Sequence, residues 1–548
     1  MQKILVALIL LAIALPVHTS SAQYEPGDGF EVAWTLDPRS DAEHFPRGPA
    51  FGARGVLAGM DFDNDGNKEF LFSTDETLAP QGPDPGFLDV YLYENNGDNS
   101  YEYVWHYTHT EGSNSLPPIA YGDLDSDGLW EIYFGIPTIN DDPIDLYVFE
   151  QGEDGTFPNE PTTTWDYGRD GALDFRPAAF AIADVDGDGQ DELVTGSRTA
   201  GAREIVVAAP VGAIDAFTVW ASEFEAGEDL LGGGAIYDVD VFDFDNDGMN
   251  EIWVNTWDLF SFTVFEATGD DTYELQVDIN EAHDAFDHGS FNSHKLLWND
   301  IDGDGRSELV VPTTSGYLFV LDDMDDVSQL TGPDFVEVGS FLGDGGATES
   351  RGADIGDIDY DGMTDIVISL GNNETVINLE FQGGDPFDMA NYERTTVFTQ
   401  TDAETVDRYY PLRITDDLDG DGKREIVVSN LFASDEGQNM IIVVESTGEA
   451  TAVEDNKPGI PDGYVLAQTY PNPFNPSTTV VFEVPETVNV DVSAYDVSGR
   501  MVRTLRSGVV SAGTHSVTFE AGDLPSGVYI IVMQTPHGSL TRKAMLLK

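Results

Sequence analysis

DFDNDGNKE, residues 61–69, is the stretch on which the reading of this chain turns. Aspartates at its positions one, three and five put three carboxylates on one side of a tight loop. Glycine at position six permits a sharp turn that a Cβ would hinder. The pattern Asp-x-Asp-x-Asp-Gly-x-x-Glu/Asp then returns six times, as DLDSDGLWE from Asp123, DVDGDGQDE from Asp184, DFDNDGMNE from Asp243, DIDGDGRSE from Asp300, DIDYDGMTD from Asp357 and DLDGDGKRE from Asp417. Steps between first aspartates are 62, 61, 59, 57, 57 and 60 residues. So regular a period marks one supersecondary unit repeated seven times.

The three aspartates, a backbone carbonyl at position seven and the acid at nine can form an all-oxygen shell. Hard donors in that number suit Ca²⁺, whereas Mg²⁺ demands stricter octahedral geometry. The candidate side-chain ligands are Asp61, Asp63, Asp65 and Glu69; Asp123, Asp125, Asp127 and Glu131; Asp184, Asp186, Asp188 and Glu192; Asp243, Asp245, Asp247 and Glu251; Asp300, Asp302, Asp304 and Glu308; Asp357, Asp359, Asp361 and Asp365; and Asp417, Asp419, Asp421 and Glu425. Position four is not expected to bind. An EF-hand needs a bidentate Glu at position twelve and flanking helices. Position twelve is Phe72, Phe134, Thr195, Val254, Val311, Ile368 and Val428, so that reading fails. The bland alternative, a solvated acidic turn, suits one copy better than seven in register.

After each loop comes a short β-type run: EFLFS, EIYFG, ELVTG, EIWVN, ELVVP, DIVIS and EIVVS. Each unit reads as four strands, and seven such units predict a seven-bladed β-propeller. The last unit lacks its fourth strand. FEVAWTL at Phe30–Leu36 aligns with the fourth strand YEYVWHY at Tyr101–Tyr107, and is expected to pair with Met440–Glu445 and close the ring, removing an open edge.

These loops and their period resemble the FG-GAP/VCBS repeats of integrin α-subunit propellers and their bacterial relatives, over Phe30–Ser446. The resemblance implies an acidic loop joining strands one and two and holding Ca²⁺ on the lower face. Glu stands at position nine in six copies, where integrins favour Asp.

Residues 1–22 read as a signal peptide: Lys3, an apolar run over Ile4–Leu15, and small residues at Ser20 and Ala22. Twelve apolar residues are too few to span a bilayer, and no later stretch suffices, so no transmembrane segment is expected. Zero cysteines exclude a disulfide framework. The expected organisation is the signal peptide, the propeller over residues 23–446, a linker at 447–463 and a small immunoglobulin-like β-sandwich over 464–548. That last segment carries YPNPFNPSTTVVFEVPE, YDVSGRMVRTL and a TRKAMLLK end. It resembles the C-terminal sorting domain of type IX secretion substrates, with an ordinary adhesion module as the alternative. The resemblance implies export by the type IX machinery of a Gram-negative bacterium, then release or attachment at the outer surface.

Residues 458–548 hold six Lys/Arg and seven Asp/Glu; the remainder holds 18 and 94. A net charge of −77 excludes nucleic acid as a natural partner. The scarce basic residues gather before the loops: Arg47, Arg54, Arg169, Arg176, Lys295, Arg351, Arg408 and Arg413. Where first strands approach the channel, Arg54, Arg176, Arg351 and Arg413 are candidates to bind a carboxylate or sulfate, as on an acidic glycan. The competing reading pairs each with a neighbouring acid. His283, His288 and His294 share one connector that matches no metal motif and reads as a polar loop. The Gly-rich Gly227–Asp238 precedes a strand and reads as a connector. No nucleophile elbow, zincin helix or phosphate loop occurs. The expected function is an adhesion or recognition module for an extracellular glycan or protein ligand. The alternatives are a polysaccharide-degrading, lyase-like enzyme, with His283–Lys295 and Tyr409–Arg413 as its candidates, and an envelope scaffold.

Overall fold

In the computed structural model the chain forms two compact units, Met1–Glu449 and Ala450–Lys548. The structure describes residues 24–41, 43–45, 52–75, 87–110, 117–137, 144–167, 175–197, 204–215, 218–227, 236–256, 261–269, 271–279, 293–342, 350–371, 375–401, 409–431, 438–447, 465–466, 474, 477–484, 488–496, 500–510, 513–522, 524–535 and 538–546. The expected signal peptide, almost all of the linker, and Arg47, Arg169, Arg408, His283 and His288 lie outside them.

The first unit opens with β1 (Tyr24–Pro26) and β2 (Phe30–Leu36). Blade one holds β3 (Ala53–Met60), β4 (Glu69–Asp75), β5 (Leu88–Gly97) and β6 (Ser100–His109). Blade two holds β7 (Ile119–Gly122), β8 (Glu131–Gly135), β9 (Leu146–Glu150) and β10 (Thr163–Trp165). Blade three holds β11 (Pro177–Ala183), β12 (Glu192–Ser197), β13 (Ile205–Pro210) and β14 (Trp220–Ala226). Blade four holds β15 (Ile236–Phe242), β16 (Glu251–Thr256), β17 (Phe262–Gly269) and β18 (Thr272–Ile279). Blade five holds β19 (Leu297–Asn299), β20 (Glu308–Pro312), β21 (Tyr317–Leu321) and β22 (Phe335–Ser340). Blade six holds β23 (Ser350–Gly356), β24 (Asp365–Leu370), β25 (Thr375–Phe381) and β26 (Tyr392–Gln400). Blade seven holds β27 (Tyr409–Ile414), β28 (Glu425–Asn430) and β29 (Ile441–Ser446). Within each blade, strands consecutive in the chain pair antiparallel as a meander.

β2 supplies the missing strand of blade seven, with Phe30 opposite Ser446 and Leu36 opposite Ile441. β1, which sequence reasoning did not foresee, adds a fifth strand to blade six by pairing with β26. Gly27 follows it, and its amide donates to the Val397 carbonyl at 2.9 Å. A Cβ there would meet the Thr396 carbonyl oxygen at 1.7 Å, so only glycine lets the chain pass.

Second strands such as β12, β16, β24 and β28 are buried along their whole length. Both faces of each sheet pack on neighbouring blades, which explains their unbroken apolar runs. Seven apolar clusters fill the seven blade junctions; Val56, Phe70 and Tyr91 meet Val427 and Val443 between blades one and seven. Fourth strands alternate, as in β18, because their outer side meets water.

The second unit has a three-stranded sheet of β30 (Val465–Leu466), β31 (Ser477–Val484) and β34 (Gly513–Glu520). A four-stranded sheet has β33 (Met501–Val510), β32 (Val488–Asp496), β35 (Gly527–Thr535) and β36 (Gly538–Leu546) in that order. Phe482 and Phe519 of the first share one core with Val492, Ile531 and Ala544 of the second, so the two sheets face each other.

Candidate metal centres and the axial cavity

Each acidic loop joins the first strand of its blade to the second, and the acid at position nine begins the second strand. All seven loops share one internal hydrogen-bond scheme. The aspartate at one accepts from the glycine amide at six, at 2.9–3.2 Å. That at three accepts from the amide at five, and that at five from the amide at seven. Glycine at six has φ between 85° and 97°. Position four is also left-handed: Asn64, Ser126, Asn246 and Tyr360 have φ near 60°, and glycine holds it in the other three loops.

At position nine one carboxylate oxygen accepts the amide of position two, at 2.6–3.1 Å. The other oxygen, on Glu131, Glu251, Glu308 and Glu425, is buried and meets no donor, and these side chains are 0 % exposed. Oδ1 of Asp61 and of Asp243 is buried in the same way. Ligand oxygens of Asp123, Asp125, Asp127 and Glu131 lie within 4.8 Å of one another, as do those of the quartets at Asp243 and Asp417. Burial is the main force pushing Glu69, Glu131, Glu192, Glu251 and Glu425 up to about 8, and Glu308 and Asp365 up to about 7. The accepted hydrogen bonds oppose that rise, and neighbouring carboxylates add to it. Leaving a buried carboxylate oxygen unpaired among like charges is costly, and a bound cation removes that cost. The donors fit a hard divalent ion.

Sequence reasoning missed a fifth acid per blade. Glu94, Glu150, Glu266, Glu380 and Glu445 stand directly across the ladder from the position-nine acids of their blades. Glu223 approaches the third loop from β14, and Asp322 follows β21 at the fifth. Like charges directly opposite each other destabilise a strand pair unless something neutralises them. In blade seven Lys423 does part of this, pairing with Asp421 and Glu445. The signal was an acid recurring at the end of the third-strand motifs.

The loops also join blades. The second oxygen of the position-three aspartate accepts an amide from the following blade: Asp125 from Ile214, Asp186 from Asp271, Asp245 from Val327 and Asp419 from Asn99. The side chain at position eight reaches the preceding loop. Asn250 donates to the Asp184 carbonyl at 2.6 Å, and Arg424 donates to the Asp357 carbonyl with its guanidinium 4.3 Å over the Tyr360 ring.

Cavities follow the ring axis. One, of about 110 Å³, is lined from all seven blades and includes Arg54, Lys295, Arg351 and Arg413, with His294 and Asp238. A second, of about 410 Å³, includes Asp240, Trp298 and Asp354, and shares Lys295 and Arg413. Three of the four arginines picked from sequence thus meet. Arg176 does not line the cavity; its Nε donates to the Pro137 carbonyl at 3.3 Å, because it precedes β11. The pairing alternative holds for Lys295, whose Nζ lies 2.9 Å from Asp238. Asp240 accepts from Trp298 Nε1 at 2.7 Å, and burial pushes it up to about 6. Asp354 is also pushed up by burial, against the pull of Arg413.

Residues 61–134 match the family model of the FG-GAP-like repeat, and residues 468–547 that of the secretion system C-terminal sorting domain. The chain thus carries an FG-GAP-like repeat match within a propeller-like arrangement of sheets and ends in a type IX sorting domain, which marks it for secretion or the outer surface of a Gram-negative bacterium. No helix among the described residues is long and apolar enough to cross a membrane. No curated protein matches the sequence. Among solved structures, a periplasmic gluconolactonase of Pseudomonas aeruginosa is 12% identical, over 62% of this chain and 84% of that one, with a TM-score of 0.41. A rhamnogalacturonan lyase of Bacillus licheniformis is 14% identical, over 73% and 72%, with a TM-score of 0.40. An Agrocybe aegerita lectin that recognises non-reducing terminal N-acetylglucosamine is 16% identical, over 70% and 87%, with a TM-score of 0.42.

Proposed function

We propose that the protein is a secreted, calcium-stabilised propeller that serves as a recognition module for an extracellular glycan or protein ligand. One observation carries the metal reading: a fully buried position-nine carboxylate with one donorless oxygen, beside three loop aspartates and opposite another acid. The aspartates at one, three and five and the acid at nine would hold Ca²⁺, with the carbonyl at seven. The ion would supply charge neutralisation and tie a loop to its blade. Because those loops already bond to adjacent blades, Ca²⁺ would stiffen the junctions that set the two faces of the ring. A face so fixed suits binding, since pre-organised surfaces lose little entropy on docking. The sorting domain supports delivery to the medium or surface where such a ligand is met.

The test is calorimetric titration of EGTA-stripped full-length protein with CaCl₂, beside thermal unfolding with and without EGTA. Uptake of several ions per chain and a lower melting temperature in EGTA are expected. Protein that takes up no metal and melts identically in both media would refute the reading.

A further inference from the structure

We propose that the junction of blades three and four holds a second divalent cation, outside the loop's own and ligated by Asp188, Glu223 and Asp271. The proposal extends the metal reading beyond one ion per loop and rests on it. Blade one shows that a single loop can serve two groups of ligands. Oxygens of Asp61, Asp63 and Glu69 lie within 4.8 Å of one another, and so, separately, do those of Asp63, Asp65 and Glu94. In blade seven, position seven of the loop is Lys423. Its ammonium pairs with Asp421 at 3.1 Å and with Glu445, the outer acids of that blade, near Glu31. In blade five that position is Arg306, which pairs with Asp323 and, at 3.0 Å, with Asp325 beyond β21. Two blades thus send a cation of their own to the outer acids.

Blade three puts a neutral residue there. Its position seven is Gln190, whose side chain donates to Asp188 at 2.9 Å. Asn99 and Asp271 hold the same place in their hairpins, each with φ 52°. Each donates its amide to the position-three aspartate of the preceding blade, to Asp419 at 2.6 Å and to Asp186 at 2.7 Å. Asn99 then gives its Nδ2 to Glu445 at 2.9 Å. Asp271 instead brings a second carboxyl against that of Glu223, beside Asp186 and Asp188. Exchange of Lys423 for Gln190 and of Asn99 for Asp271 removes one positive charge and adds one negative. Carboxyls in contact repel once both ionise, and a divalent ion at that point relieves them.

Two further features point into the same place. β14 slips register against β13 between Ser222 and Phe224, which leaves Glu223 out of the ladder and turns it toward loop three. Glu223 Oε2 is buried there and meets no donor. Tyr273, two residues after Asp271, is 9 % exposed, and its hydroxyl meets no partner although Glu192, Glu223, Asp186 and Asp271 are its neighbours. A buried hydroxyl beside carboxylates ordinarily donates to one of them, and a group placed between it and the acids would recover what is lost here. Three carboxylates with a phenol at the rim are oxygen donors only, which suits a hard cation such as Ca²⁺. With two ligands from blade three and one from blade four, the ion would clamp this junction. The Asn99–Glu445 hydrogen bond does the same between blades one and seven.

The test is calcium content per chain, by inductively coupled plasma mass spectrometry after dialysis of full-length protein against CaCl₂, beside melting temperature in EGTA. Gln190→Lys with Asp271→Asn writes the residues of the blade seven junction into this one, at positions where the fold already carries them. The pair should bind one calcium fewer than wild type and melt higher in EGTA. Glu192→Gln should lose the loop's own ion, and adding it to the pair should bring the loss to two. A folded pair that binds as much calcium as wild type overturns the second ion alone, as does a triple variant that loses no more than Glu192→Gln. Wild-type protein that takes up no calcium removes the loop ions and this one together.

Discussion

Glu251→Gln should change the protein's stability in opposite directions with and without calcium. Glu251 is 0 % exposed; one oxygen accepts the Phe244 amide at 2.7 Å and the other meets no donor. Glutamine keeps an acceptor for that amide and removes the charge. In metal-free protein, burial raises the Glu251 carboxyl from 4.5 to about 8. At pH 7 the unfolded chain ionises this group while the fold holds it protonated. The span from 4.5 to pH 7, at about 1.36 kcal/mol per pH unit, bounds the cost at about 3 kcal/mol. Water at the loop rim screens this to about 1–2 kcal/mol. EGTA-treated Glu251→Gln should therefore be the more stable protein by that amount. In calcium at ~100 times the dissociation constant, the wild type gains about 2.7 kcal/mol from the site and the variant forgoes it. A propeller of this size should shift by about 1–2 °C per kcal/mol, extending the known size scaling. Differential scanning calorimetry in both media reads the sign change. A variant that melts below wild type in both, or equal to it in both, would refute a cation at Glu251.

Metal-free protein should lose stability as pH rises from 4.5 to about 8, because its position-nine glutamates bind more protons folded than unfolded in that window. Calcium should flatten that slope and release protons on binding, read by titration in buffers of different ionisation enthalpy. Gly27→Ala should cost about 1–3 kcal/mol through its clash with the Thr396 carbonyl, and an unchanged melting temperature would show that β1 is not docked. Deleting Phe30–Leu36 should open blade seven and lower the melting temperature; equal stability of the deletion would count against closure by β2. Truncation of Tyr464–Lys548 should leave the propeller in the periplasm on cell fractionation, and normal export would refute the sorting role.

The blades were legible because their signal is local and repeated. The nine-residue loop fixes a turn by its own hydrogen bonds, and the run after it must be a strand buried on both faces. Closure by β2 was legible for the same reason, since FEVAWTL copies a fourth-strand pattern. β1 was not: three residues carry no periodicity, and what holds Tyr24 is tertiary, edge packing on Phe398 at 5.5 Å and a hydrogen bond from Asn439. The fifth acids were hidden by variable hairpins. Glu94 lies 25 residues after Glu69, but Glu266 only 15 after Glu251, so no fixed spacing announced the pairs. The arginine ring was half legible. Distance from the loop placed Arg54, Arg351 and Arg413 near the axis, but the bulges that leave Arg54 and Arg351 out of the ladder have no signature in the spacing.

Pairing of β2 with β29 ties closure of the ring to the two ends of the propeller. β2 and β29 lie more than 400 residues apart in the chain, so blade seven forms only when both ends have been made. Pairings of such separation are slow, since the chain entropy of closure is lost before contacts repay it. Closure sets Glu31 of β2 opposite Glu445, which already faces Glu425 across β28 and β29, with Lys423 as a nearby cation. Closure there is expected to be favoured where divalent cations are plentiful and disfavoured where they are scarce. A chain of this design would stay open during transport and tighten outside the cell. Calcium would then act as a folding signal as well as a structural part, and refolding from urea should accelerate with calcium for the wild type but much less for Glu425→Gln. Equal acceleration of both would place the calcium-sensitive step elsewhere in the ring.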